Sequence, residues 1–343
     1  MPVKERPILI ATRGSALALA QANAVLAQCR SAFPRLQFEI KIIKTTGDRL
    51  QTASLAQEGE KLPKGLFTKE LEVALVKNQA DLAVHSLKDL PTDLPAGLTL
   101  GAVGKRADVR DVLVYRDAEF LRAEQSGAAG GGVWVPSRSE LRGFKPKMGL
   151  KDFPAGAIFA TSSTRRKAQL LSHRPDLKVV EIRGNVVTRL QKVADRVEMD
   201  VTILAAAGLQ RLDFTIQPDG RLTGDAVPDG LLAVVLEPEV MLPAVGQGAV
   251  GIETRADDGR IGAVCERLNH FNTRQCVTAE RAFLAGMGGG CQSPVAAYAE
   301  IIESHLRLRA VSFRDEKKTR RGELKGPIKE AAELGQRLAE ELK

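Results

Sequence analysis

The chain has 343 residues, enough for two or three domains of ordinary size. Its apolar content of 44% with 4% aromatics fits a globular protein with an aliphatic core, and no apolar run approaches the ~20 residues of a membrane span. Net charge is +8, from 50 basic against 42 acidic residues; this admits nucleic acid, an anionic membrane surface or an acidic small molecule, so where the charge sits matters more than its size.

The four cysteines, Cys29, Cys265, Cys276 and Cys291, form no CxxC pair, which argues against a zinc site and a disulfide scaffold. His85, His173, His270 and His305 are scattered without ligand spacing, so no metal is expected. The start, MPVKERPILIATRGS, has no extended apolar h-region and enters a strand pattern by Ile8. The expectation is a soluble cytoplasmic protein in a reducing compartment.

In chain order, ILIAT (8–12) reads as a first strand, followed by Arg13, Gly14 and Ser15. Residues 16–30 are rich in Ala and Leu on nearly all sides and read as a buried helix. Ser15 is its N-cap, and Arg13 stands beside exposed helix N–H groups, a pair suited to an anion. FEIKII (38–43) is a second strand. Glycines and Pro63 break all periodicity over 46–66, and a loop of that length suggests a functional role. TKELEVALVKN (68–78) restores helical spacing through Leu71, Ala74 and Leu75.

The stretch DLAVHSLKDLP (81–91) organises the rest. Its apolar start, Leu82 to Val84, predicts a buried strand, which ends in a loop carrying His85, Lys88 and Asp89 and closed by Pro91. Open α/β sheets bind ligands beyond the carboxyl ends of their strands, so a Lys-Asp pair there marks a candidate site. The order to this point, β-α-β-loop-α-β, is a doubly wound α/β pattern.

Past GLTLGAV (97–103), segment 105–111 is a candidate hinge before the strand-like VLVY, and Gly-rich 122–150 reads as a surface insertion. At 157 the first pattern starts again. AIFAT (157–161) is a strand, KAQLLSH a helix, LKVVEI (177–182) a strand, VVTRLQKVADRV (186–197) a helix and VTILAAAGL (201–209) a strand running into Arg211. Two such lobes around a cleft resemble the type II periplasmic-binding-protein-like architecture. The second lobe carries Arg165, Arg183 and Arg211 just past predicted strand ends, and Arg189 in a first helical turn. Guanidinium forks match carboxylates in bidentate fashion, so these arginines predict a ligand with several carboxylates or phosphates. The lobe offers little aromatic surface for stacking bases.

After a Gly/Pro/Asp-rich loop to about 230, the glycines of LPAVGQGAVGIE (242–253) read as tight turns or close backbone approaches. Residues 257–270 and TAERAFL (278–284) read as helical, VAAYAEII, HLRLRAV and RRGELKG as antiparallel strands, and 328–342 as an amphipathic helix, together a small α+β domain. Cys291 stands on its loop among glycines 286, 288, 289 and 290, where exposure and nearby N–H groups favour thiolate character. Cys29 and Cys265 read as core residues, and Cys276 as preceding a helix.

These motifs closely resemble the porphobilinogen deaminase family, also called hydroxymethylbilane synthases. The resemblance runs from ATRGS (11–15) to the end, through KGLFTKELE (64–72), DLAVHSLKDLP, TSSTRR (161–166), RGNVVTRL (183–190), AAAGLQRL (205–212), LPAVGQGAVGIE and GGGCQSP (288–294). It implies three domains: 1–107 with 249–266, then 108–248, then 267–343. It implies a cytoplasmic, monomeric transferase of tetrapyrrole biosynthesis with no nucleic-acid or membrane partner. Such an enzyme condenses four porphobilinogen molecules, each losing ammonia, on a dipyrromethane cofactor, and then hydrolyses off hydroxymethylbilane. The resemblance places the cofactor's thioether on Cys291 and the catalytic carboxylate at Asp89. It assigns Lys88, Thr161, Ser162, Ser163, Arg165, Arg166, Arg183 and Gln247 to the cofactor, and Arg13, Ser15, Lys64, Arg189 and Arg211 to substrate. The physical reading agrees. Each pyrrole carries an acetate and a propionate, and loss of ammonia leaves an electron-poor methylene-pyrrolenine that a carboxylate stabilises. The chain departs from the family pattern at EGEKLPKG (58–65), longer and poorer in glycine than usual, and at Thr164, where an apolar residue is usual. Two other readings remain at this stage: a non-catalytic anion-binding protein of the same architecture, and a basic nucleic-acid binder.

Overall fold

The computed structural model describes residues 6–47, 67–126, 140–290, 293–315 and 318–343. The chain divides into two units, 1–107 with 244–343, and 108–243.

The first unit opens with β1 (Ile8–Thr12), α1 (Ala16–Ala32), β2 (Phe38–Ile42), α2 (Lys69–Val76), β3 (Leu82–Ser86) and β4 (Leu98–Val103). β1 lies between β2 and β3 and runs parallel to both. Parallel neighbours need a crossover, which α1 supplies between β1 and β2. Ser15 caps α1, its Oγ accepting from the Ala18 N–H at 3.3 Å. The helix is not buried all round: only Gln21, Ala22, Val25 and Cys29 are. Its many alanines favour helix without requiring burial, so composition there reported propensity, not environment.

The second unit holds β5 (Asp111–Arg116), α3 (Ala118–Gln125), β6 (Ile158–Ala160), α4 (Thr164–His173), β7 (Lys178–Val180), α5 (Val186–Asp195), β8 (Val201–Ala205), α6 (Ala206–Arg211), β9 (Thr215–Ile216), β10 (Leu222–Thr223) and β11 (Leu231–Leu236). Its main sheet has the order β11-β5-β8-β6-β7. β6 is parallel to β7 and β8, while β5 is antiparallel to β8 and β11.

The chain then completes the first unit with β12 (Val250–Arg255), α7 (Gly259–Leu268), α8 (Phe271–Gly286), β13 (Val295–Ile302), β14 (His305–Asp315), β15 (Lys318–Pro327) and α9 (Ala331–Leu342). β12 inserts antiparallel between β3 and β4, giving the order β2-β1-β3-β12-β4. The two five-stranded sheets therefore share one pattern: three parallel strands, a fourth reversed, and a fifth reversed again. β13, β14 and β15 form an antiparallel sheet. Its core, with Phe283, Leu306, Leu308, Leu334 and Leu338, is shared with α8 and α9. Gly335 lets α9 approach α8, because a Cβ there would collide with the Ala279 carbonyl.

Several expectations need correction. The strand expected over 201–209 stops at Ala205, and α6 follows. A short apolar run does not distinguish strand from helix, and alanines without β-branching took the helix. Arg211 therefore closes a short helix and does not follow a strand end. Within 122–150, α3 runs to Gln125, and Leu141, Phe144 and Leu150 are buried. Tyr115 packs edge-on against Phe144 and Phe153, which draws that stretch into the core; Trp134 lies outside the described residues. The 212–230 stretch contains the β9–β10 hairpin. β3 continues through His85 to Ser86, and Cys276 lies inside α8.

Candidate active site

A cavity of about 70 Å³ opens in the first unit where β1 and β3 end. Its lining includes Arg13, Ser15, Gln21, Phe67, His85 and Asp89. Each arrives for a local reason. β1 stops at Thr12, so Arg13 and Ser15 fall on the turn into α1. β3 stops at Ser86 and tightens into the short 3₁₀ turn Leu87–Asp89, which puts Asp89 at the rim with Lys88 beside it, both half-buried. The Arg13 guanidinium lies 4.3 Å from the centre of the Phe67 ring, a stacking that holds a cation without neutralising it.

The turn bearing Asp89 is closely packed. Leu87 N–H donates to the Ala249 carbonyl at 3.0 Å. The Leu87 side chain fills notches at Gly246 and Gly251, where an added Cβ would come within 3.1 and 2.8 Å of it. Gly246 and Gly248 have φ of +72° and +84°, a backbone requirement for glycine, and Gly246 meets the packing requirement as well. Gln247 between them is buried. Its carbonyl accepts from Arg106 Nε at 2.9 Å, and Arg106 pairs with buried Glu280 at 2.6 and 3.0 Å.

Sequence reasoning missed Gln21, Phe67 and Glu253 here, and named His85 without a role. Gln21 reaches from α1 to Ser86 at 2.9 Å. Phe67 supplies the ring under Arg13. His85 meets Glu253 of β12, Nε2 to Oε2 3.0 Å, both side chains buried. The second oxygen of Glu253 has no partner among the described residues. A lone amide in an Ala/Leu helix was the available signal for Gln21. Nothing local marked the His85–Glu253 pair, whose members lie 168 positions apart.

In the second unit the corresponding junction, β6 into α4, carries Thr161, Ser162 and Ser163. Ser163 caps α4, accepting from Arg166 N–H at 3.4 Å. Ser162 donates from Oγ to the Ile182 carbonyl at 2.7 Å, and buried Thr161 accepts from Ser163 N–H at 3.2 Å. Arg165 and Arg166 are buried in the first turn of α4 and share Asp111, at 2.8 and 2.7 Å. Arg165 also donates to the Leu242 carbonyl at 2.5 Å, and Arg166 to that of Ile203 at 2.8 Å. Burial works to raise Asp111, but the two guanidinium groups outweigh it and hold the carboxyl well below its usual range. One carboxylate against two guanidinium groups leaves a net positive charge, and the Nε of each arginine has no partner among the described residues. Arg189 donates from Nε to the Gly184 carbonyl at 2.8 Å, Arg183 is exposed beside Glu181, and burial lowers half-buried Arg211 below the ordinary arginine range. Cys291 and Lys64 lie outside the described residues.

Residues 8–263 match the family model for the dipyrromethane cofactor binding domain of porphobilinogen deaminase, and residues 274–343 match the model for its C-terminal domain. The chain is 42% identical to the porphobilinogen deaminase of Desulforudis audaxviator over 97% of its own length and 93% of the relative's. It is 41% identical to that of Paracoccus denitrificans over 100% and 96%. Among solved structures, the effector-binding domain of BenM with benzoate matches 77% of this chain and 90% of that one, at 17% identity and a TM-score of 0.38.

Proposed function

The chain belongs to the porphobilinogen deaminase family, and from that premise we propose how its residues divide the work. It is a transferase of tetrapyrrole biosynthesis that condenses porphobilinogen on a dipyrromethane cofactor. The cofactor supplies the growing pyrrole chain with its first two units.

Cys291 attaches that cofactor. The other three cysteines are buried thiols, and burial pushes Cys29 up to about 11, and Cys265 and Cys276 up to about 12. None of these is suited to act as a thiolate, which leaves the cysteine of the glycine-rich loop. The acetate and propionate groups of a pyrrole chain need cationic donors. The donor set of the second unit fits them: two guanidinium groups on the one carboxylate of Asp111, Nε atoms of Arg165 and Arg166 with no partner among the described residues, Ser162, Ser163 and Arg183 after strand ends, Arg189 in the first turn of α5 and Arg211 at the end of α6. Thr161 completes that set; in the first unit Lys88 and Gln247 are assigned to the cofactor, and Lys64 joins Arg13 and Ser15 on the substrate.

Asp89 carries the chemistry. The observation that supports this most directly is the cavity that brings its carboxylate together with Arg13 and Ser15. Arg13 and Ser15 hold a substrate carboxylate, and Asp89 accepts hydrogen bonds from pyrrole N–H groups as positive charge develops on loss of ammonia. His85 lines the same cavity, and its buried pairing with Glu253 ties the end of β3 to β12. The same reading divides the chain into domains 1–107 with 249–266, 108–248, and 267–343, the last supported by its own apolar core. It also takes the protein as a cytoplasmic monomer. Among the described residues no helix is long and apolar enough to cross a membrane.

The deciding experiment is the intact mass of the wild type beside Cys291→Ser. The wild type should exceed its sequence mass by about two pyrrole units, and Cys291→Ser should show its sequence mass and no turnover. An adduct retained by Cys291→Ser would sink the attachment assignment.

A further inference from the structure

Asp89 is held on a turn of only three residues, and the chain leaves that turn through Leu90, Pro91 and Thr92. Pro91 has no N–H, so this exit cannot be held by a regular strand ladder. Among the described residues, one side chain from another part of the same unit bonds its carbonyls. Arg281, on α8, donates from Nη1 to the Leu90 carbonyl at 3.0 Å, and from Nη2 to the Pro91 carbonyl at 2.5 Å and the Thr92 carbonyl at 3.3 Å. One turn earlier on the same face of α8, Val277 packs in a buried cluster with Leu87 and Leu90, the residues that flank Lys88 and Asp89.

The neighbouring residue keeps α8 itself in place. Glu280 is fully buried, pairs with Arg106, and accepts from the Gly246 and Ala299 N–H groups, both at 2.8 Å. Gly246 is also one of the two glycines that receive Leu87. Glu280 thus anchors the helix against the segment behind the Asp89 turn, while Arg281 reaches the segment in front of it. The planar guanidinium can bind three successive carbonyls in one orientation, which a flexible ammonium cannot match.

We propose that Arg281 is the positioning residue of Asp89: its grip on the carbonyls of residues 90–92 sets the turn that aims the carboxylate into the cavity, coupling the placement of Asp89 to helix α8. This rests on the reading of Asp89 as the catalytic carboxylate.

The test compares purified holoenzymes: wild type, Arg281→Gln, Arg281→Lys, Asp89→Asn, Asp89→Glu, and the double variant Arg281→Gln with Asp89→Glu. Melting temperature, kcat and KM for porphobilinogen are measured for each. Arg281→Gln should melt as a folded protein and lose about tenfold or more in kcat with KM changed less than about threefold, as expected for a misplaced catalytic group. Arg281→Lys should recover part of that loss, and it carries the comparison if Arg281→Gln does not fold. In the double variant the two losses should fall short of multiplying, since both act through the position of one carboxylate. A kcat within about twofold of wild type in Arg281→Gln, or losses that multiply fully in the double variant, overturns the proposal while leaving the role of Asp89 intact. Undiminished turnover by Asp89→Asn overturns both.

Discussion

The two strand-to-helix junctions, β1 into α1 and β6 into α4, begin from the same local pattern and end in different electrostatics. Both open on a short strand ending in Ala-Thr or just before it, pass a polar turn, and start a helix on a serine cap. In the first, Arg13 is half-buried at the edge of a cavity and lies over the Phe67 ring, with Asp89 lining the same cavity. In the second, Arg165 and Arg166 are buried and tied to Asp111 and to two carbonyls. The first arrangement suits selective contact with a substrate that comes and goes. The second makes the positive charge part of the unit's own interior, so its ligand affinity and its stability share the same groups.

Asp111→Asn is the sharpest way to test that difference. It takes from two buried guanidinium groups the one carboxylate they share and should cost about 3–5 kcal/mol in denaturant unfolding of the second unit. The pH dependence follows. Because the folded state holds the Asp111 carboxyl below its unfolded range, near 4 for a free aspartate, its stabilisation is complete above about pH 4 and is lost as pH falls below it. Asp111→Asn should flatten that acid-side loss, and a variant that loses stability with acid as steeply as the wild type would contradict the assignment.

Gly251→Ala probes the packing behind Asp89. The new Cβ would come within 2.8 Å of Leu87 Cδ1, so Leu87 or its turn must shift, at about 1–3 kcal/mol of stability. Turnover should fall with it, read as a lower kcat. Arg13→Gln should have the smallest effect on folding, under about 0.5 kcal/mol, while raising KM for porphobilinogen about tenfold. If Arg13→Gln destabilised the protein as much as Asp111→Asn, the contrast between the two junctions would not stand.

The sequence by itself determined most of the local structure. Ser15 was legible as a cap because the capping hydrogen bond closes within three residues, whereas the second helix, expected from Lys167, starts at Thr164 on a Ser163 cap. The paired strand-helix series was legible because alternation and helical spacing operate in short windows. The Asp89 turn and the run of collinear motifs were legible as a family resemblance, and the matches over residues 8–263 and 274–343 agree with it. Where a window was ambiguous, as in the alanine run that became α6, the reading failed for the same local reason. Tertiary structure alone decided which charges are spent inside the protein. Arg165 meets an aspartate 54 positions away, His85 a glutamate 168 away, and Arg281 the exit of the Asp89 turn 189–191 away. The resemblance implied that 249–266 belongs with 1–107, but no local pattern placed β12 between β3 and β4. Such pairings depend on which surfaces the chain brings together on folding, and no local propensity encodes the partner of a buried charge.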